Sequence, residues 1–277
     1  MRFQSYLMSA LFILISLSKA SANIYTENKL TVAPDKTSPY RSVGFVVGPT
    51  NDVCVASLIA RDLILTTADC FFDKDSGMQL MGKIRFGIGD SSTYDHRKPS
   101  YTFTDVIEVN LGTITHGPFR PLSGSYAVSN YAIARIADPL GDKYGWLEIC
   151  VKPWVYDWVK SCVSWPAPRN QNYGMISFIR NYSNDMVYRT FEHCEFKAHD
   201  EDSGAFAHNC SSYWRGSPII IFPDPKDKSR ASIVGIFSVA FGETLDKVPF
   251  SNRTLNIMAP SNQFYRAYRE MIARSKK

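Results

Sequence analysis

The chain has 277 residues, of which 45% are hydrophobic and 13% aromatic; this is enough for a packed core and unlike a disordered or collagenous chain. Its net charge of +5 is small, and the lysines and arginines are scattered rather than clustered, which argues against a nucleic-acid partner.

The N-terminus reads as an export signal. Arg2 supplies a positive start, Tyr6 to Leu17 is apolar and uncharged, and Ala20-Ser21-Ala22 gives the small-x-small pattern of a cleavage site. A membrane-spanning helix needs about 20 residues, so this run is too short for an anchor, and no later stretch is longer. Residues 1–22 are expected to be a signal peptide, with the mature chain beginning at Asn23. Loss of Arg2 and Lys19 would lower the net charge from +5 to +3.

A polar lead containing Asn28, Pro34, Asp35 and Pro39 comes next. Short strand-like runs bounded by turn residues follow it, the pattern of an all-β sandwich or barrel. Val43 to Val47, Cys54 to Ile59, Leu63 to Thr67, Ile84 to Ile88, Tyr101 to Val109 and Tyr131 to Ile136 form a first group. Leu147 to Val151, Trp158 to Val163, Ser177 to Ile179, Met186 to Phe191, Pro218 to Phe222 and Ile233 to Phe241 form a second. Phe71 to Leu80 and Thr115 to Ser129 read as long polar connections, and the charged run His199 to Asp202 as a solvated turn rather than a calcium loop. The C-terminus changes period. Ser261 is expected to cap a helix on which Phe264, Tyr268, Met271 and Ile272 share one face, with Arg274, Lys276 and Lys277 at its negative end. That apolar face is modest, which favours a helix docked on the barrels over one lying on a membrane.

Six cysteines in an exported chain favour three disulfides. No Cys-x-x-Cys pair exists and Cys150 to Cys162 is the wrong spacing for a zinc knuckle, so no metal is expected. Sequons at Asn181, Asn209 and Asn252 fit the same extracellular setting.

Four blocks in order resemble trypsin-fold serine proteases. Cys54 to Cys70 (CVASLIARDLILTTADC) is similar to the strand, turn and strand that end in that family's Thr-Ala-x-His-Cys. Pro39 to Val46 (PYRSVGFV) resembles the first strand. Asn130 to Gly141 (NYAIARIADPLG), leading to Gly145-Trp146-Leu147, resembles the aspartate strand, and His208 to Ile220 (HNCSSYWRGSPII) the serine loop. With Trp165 to Pro168 and Tyr173 to Met175 between them, the wording is nearest the glutamyl-endopeptidase-like branch. The resemblance implies an all-β, chymotrypsin-like double six-stranded β-barrel over residues 23–277. Its subdomains would run roughly from 37 to 140 and from 141 to 258, with a closing helix at 261–275. It also implies disulfides Cys54–Cys70 and Cys194–Cys210, which leaves Cys150 with Cys162.

Within these blocks the catalytic positions are substituted. Asp69 stands at the histidine, Asn130 at the aspartate and Arg215 at the serine. Acyl transfer on this template needs a hydroxyl nucleophile, an imidazole to shuttle its proton and a carboxylate to orient that imidazole. A guanidinium stays protonated and cannot attack, and a carboxylate is too weak a base for neutral pH. Loss of one essential member of such a set costs on the order of 10⁶ in turnover. Tyr213 holds the position of the family's oxyanion-hole glycine, Trp214 replaces its neighbour, and the loop is about two residues short. Phe237, in the strand Val234 to Ser238, replaces the branch's pocket histidine, so any surviving pocket should be apolar. None of the five histidines precedes a disulfide cysteine after a Thr-Ala strand.

Asp69 and Arg215 are therefore expected to form an ion pair with Asn130 alongside. The resemblance implies a secreted, monomeric, inactive homologue that binds an extracellular protein or peptide as a decoy or regulator. No cofactor, metal, nucleic acid or membrane would be involved. The competing expectation is an endopeptidase-like hydrolase with residual or relocated activity.

Overall fold

Continuous apolar runs, rather than strict alternation, mark strands buried on both faces, and Leu63–Thr66 (LILT) is buried throughout. The computed structural model describes residues 30–32, 38–49, 52–72, 82–90, 100–112, 124–150, 172–180, 186–192, 196–200, 205–208, 210, 214–222, 230–241 and 255–275. Residues 1–22, expected to be a signal peptide, the Trp158 to Val163 run, Cys162, Cys194, Tyr213 and the sequon residues Asn181, Asn209 and Asn252 lie outside them.

β1 (Leu30–Val32) belongs to a sheet completed later in the chain. The next six strands close a barrel: β2 (Val43–Val47), β3 (Val53–Leu58), β4 (Leu63–Thr66), β5 (Arg85–Asp90), β6 (Ser100–Leu111) and β7 (Ala132–Ile136), in the order β2-β3-β4-β7-β6-β5 with β5 returning to β2. Alternate residues of these strands serve two cores. Val46, Ala56, Leu58, Ile64, Phe86, Ile88, Ala132 and Ala134 fill the barrel. Val43, Phe45, Val55, Leu63, Leu65 and Ile133 turn outward, yet they are equally buried, against Ile176, Ile220, Ile233 and Ile236 of the second half.

That second half is a curled, half-barrel sheet. It consists of β8 (Glu148–Ile149), β9 (Asn172–Arg180), β10 (Met186–Glu192), β11 (Phe196–Asp200), β12 (Ala205–His208), β13 (Pro218–Phe222), β14 (Ser232–Phe241) and β15 (Leu255–Pro260). The path is β1-β10-β9-β13-β14-β15-β12-β11, with β8 parallel to β14. Nine strands are present among the described residues where six were expected, and the polar N-terminal lead contributes one of them, pairing Leu30 with Phe191. Register breaks between Ile219 and Ile220 and between Phe237 and Val239 bend the long strands, as bulges do.

Helices α1 (Gly124–Ser129) and α2 (Gly141–Tyr144) are short, and α3 (Ser261–Arg274) closes the chain. Three expectations need correction. The Thr115 to Ser129 connection contains α1; its six residues are held by packing against Ala207 and Ile257 rather than by helix propensity. His199 and Asp200 lie in β11, paired with β12, and not in a turn. Ser261 is the first helical residue and makes no cap: Pro260 stands before it, and the Ser261 hydroxyl donates instead to the Cys150 carbonyl at 2.9 Å. Among the described residues no helix is long and apolar enough to cross a membrane.

Phe264, Ala267 and Met271 of α3 are buried in the shared core, with Tyr268 and Ile272 packed at its margin. Arg135 on β7 fixes the end of the helix. Its guanidinium, 12% exposed, donates to Asp62, to Glu108 at 3.1 Å, to the Ser275 hydroxyl and to the Met271 carbonyl at 2.7 Å. Arg274 reaches the other Glu108 oxygen at 2.6 Å. Hydrogen bonds from Arg135 and then Arg274 hold the Glu108 carboxyl below its usual range. Arg135→Ala removes these charge-assisted bonds and should cost about 2 kcal/mol, hence roughly 4–8 °C in Tm. Amide exchange over residues 268–275 should rise with it. Unchanged exchange there would show that the helix is docked by its apolar face alone.

Candidate functional site

Asp69, Asn130 and Arg215 meet at the seam between the two halves. Leaving β4, the chain turns through Ala68–Phe71, a tight 3-10 turn in which every residue is buried. The Cys54–Cys70 disulfide, with Cα atoms 6.2 Å apart, ties that turn back to β3. Thr67 Oγ1 lies 3.0 Å from Cys70 Sγ. Asp69 is thereby fixed with only 4% of its side chain exposed.

Asn130 sits between α1 and β7 and is fully buried. Its Oδ1 accepts the Asp69 backbone N–H at 3.1 Å, and its Nδ2 donates to Ser238 Oγ on β14 at 3.2 Å. One amide thus links both halves. A carboxylate could accept both contacts but could not donate to a hydroxyl lone pair, so the asparagine suits this bridging position.

Arg215 occupies the turn before β13. Its carbonyl accepts the Val55 N–H of β3 at 2.8 Å. Gly216, next in line, has φ +85°, and a Cβ on it would lie 2.0 Å from the Val55 carbonyl oxygen, so only glycine permits this close approach. Gly216 N–H donates to the Phe237 carbonyl at 2.9 Å, and Phe237 N–H to the Ser217 carbonyl at 2.8 Å. The Ser217 hydroxyl, fully buried, donates to the Trp214 carbonyl at 2.7 Å and lies 2.9 Å from Ser177 Oγ. With its backbone held on both sides, Arg215 sends Nη1 onto Asp69 Oδ2. The expected ion pair is present, with Asn130 beside it.

Tyr126 of α1 borders the pair. Burial pushes its phenol above the ordinary value; the Asp69 charge adds to this and Arg215 opposes it. Neither Tyr126 nor Ser238 was singled out in the sequence. Tyr126 falls in a stretch read as a loop, and a serine within an apolar strand carries no signal of its own.

Trp214 is half-buried against the shared core. Phe237 is 2% exposed and packs with Tyr173, Met175, Phe206, Ile219 and Met258, in wholly apolar company. The imidazole of His208 meets it edge-on, ring centres 5.7 Å apart. His208 is fully buried, and burial pushes its pKa down to about 3. Cys150 and Cys210 are also in disulfides, with partners outside the described residues. Ligand atoms of Cys54, Asp69 and Cys70 lie within 4.8 Å of one another. Both sulfurs are in the disulfide and the carboxylate is on Arg215, so this trio does not fit a metal ion.

No family model matches the chain, and no curated protein matches its sequence. Among solved structures, that of a Glu endopeptidase in complex with MPD aligns with 88% of this chain and 98% of its own, at a TM-score of 0.57 and 14% identity. The fold is that of a chymotrypsin-like double barrel. At this identity the likeness is one of fold alone. In the chymotrypsin-like frame, the ion pair lies where strands of the first barrel meet the loop leading into β13 of the second.

Proposed function

We propose that this chain is a secreted, catalytically inactive homologue of the serine endopeptidases that works by binding an extracellular protein or peptide, as a decoy or regulator. The pairing of Arg215 with the buried Asp69 carboxylate carries the reading. A hydrolase centre needs a group that can attack a carbonyl and a neighbour that can take its proton. Here the group at the attacking position is a cation with no lone pair to offer, and the neighbouring carboxylate is already committed to it. The N-terminal apolar run, the sequons and the disulfides support an extracellular setting.

The test is direct. Purified protein should take no label from a fluorophosphonate probe and leave a peptide library intact by mass spectrometry after overnight incubation. Covalent labelling at a serine, or cleavage abolished by substituting one histidine, would replace this reading with that of an endopeptidase with relocated chemistry.

A further inference from the structure

Among the described residues, the ion pair with Asp69 engages only Nη1 of the Arg215 guanidinium. A guanidinium carries five N–H donors in a planar fork. Nη1 donates to Asp69 Oδ2, and no other hydrogen bond of this side chain occurs among the described residues. Asp69 is nearly fully buried, whereas the arginine side chain is 32% exposed. The pair is thus an oriented dipole, its negative end sealed beneath the seam and its positive end facing solvent. The backbone around Arg215 is clamped by Val55, and through Gly216 by Phe237, and Nη1 is tied to Asp69, which together restrain the fork before any ligand arrives. Half-buried Tyr126 lies close enough to feel both charges of the pair.

We propose that the outer edge of Arg215, Nε with Nη2, is a carboxylate-binding site that receives an acidic group of a bound peptide. The proposal rests on the binding-protein reading above and supplies the chemistry of its ligand. Planar fork-on-carboxylate contact is the geometry in which arginine outperforms lysine. The carboxylate can come from an aspartate or glutamate side chain or from a peptide C-terminus.

Three probes separate these sources and isolate the chemistry: N-acetyl-trialanine with a free C-terminal carboxylate, the same peptide as its amide, and N-acetyl-Ala-Glu-Ala-amide. Each is titrated into the intact protein while the Arg215 Nε–H resonance is followed by NMR. The carboxylate-bearing probes should move that resonance saturably and the neutral amide should not. Whichever acidic probe binds more tightly identifies the source. In Arg215→Lys, which keeps the charge and its partner but loses the fork, affinity should fall at least tenfold, with Tm checked in parallel. Equal binding of acid and amide, or full affinity in Arg215→Lys, overturns the site. If the variant does not fold, the wild-type resonance alone decides. The same samples are checked for cleavage products. Cleavage overturns the non-catalytic reading, whereas intact peptides without carboxylate preference overturn only this inference.

Discussion

Arg215→Met should destabilise the protein by roughly 3–5 kcal/mol, the range found when one partner of a buried ion pair is removed. The methionine fills much of the arginine's volume, so the cost comes from the charge left behind. Asp69 would stay 96% covered, tied by its neighbouring disulfide and by the Asn130 bond to its backbone, with no other ion-pair partner among the described residues. For a chain of this size that corresponds to a fall in Tm of about 6–20 °C. The Asp69→Asn/Arg215→Met double variant removes both charges and should recover most of the loss, because the pair's own net worth is small next to the penalty of half a pair. Chemical denaturation of the four proteins closes a double-mutant cycle. A single variant within 0.5 kcal/mol of the wild type would mean that Asp69 is not sealed in the way its burial implies.

The same residues show how far the sequence could be read. Val43–Val47 and Pro218–Phe222 match their expected bounds because both faces of those strands are buried, which makes their apolar runs unbroken. Phe196–Asp200 and Ala205–His208 were not expected as strands. Each carries polar residues, and the register break between Ala198 and Asp200 disturbs the alternation that would reveal β11. Leu30–Val32 is three residues long and gains its structure from pairing with β10, which no local pattern encodes. Asp69 and Arg215 are 146 positions apart. Their pairing was legible only through the resemblance of the surrounding blocks, since residues so distant share no periodicity or spacing. Once Asp69 and Arg215 were placed, charge did the rest. The Asn130 to Ser238 bridge needed coordinates, because neither side chain has a fixed partner type.

Acid should weaken this fold earlier than its carboxylates alone would, and the cause is His208. Free histidine titrates near 6.5, whereas burial holds His208 neutral until about pH 3. Below pH 6.5 the unfolded chain therefore binds a proton that the folded chain refuses. More protons on the unfolded state means that stability rises with pH, so it is complete above 6.5 and drains as pH falls toward 3. The slope is at most about 1.4 kcal/mol per pH unit, giving a loss near 3 kcal/mol at pH 4.5. His208→Phe keeps a ring against Phe237 and removes the titration. Glu108, whose lowered pKa makes its own contribution vanish only below about 4.5, is common to both proteins and cancels in the difference. Urea unfolding at pH 7.5, 5.5 and 4.5 should show the variant gaining on the wild type by about 3 kcal/mol across that range; parallel curves would refute the assignment. The consequence reaches the seam. Phe237 is bonded through its backbone to Gly216 and Ser217, so a charge forced onto His208 disturbs the strand that holds the Arg215 turn in place.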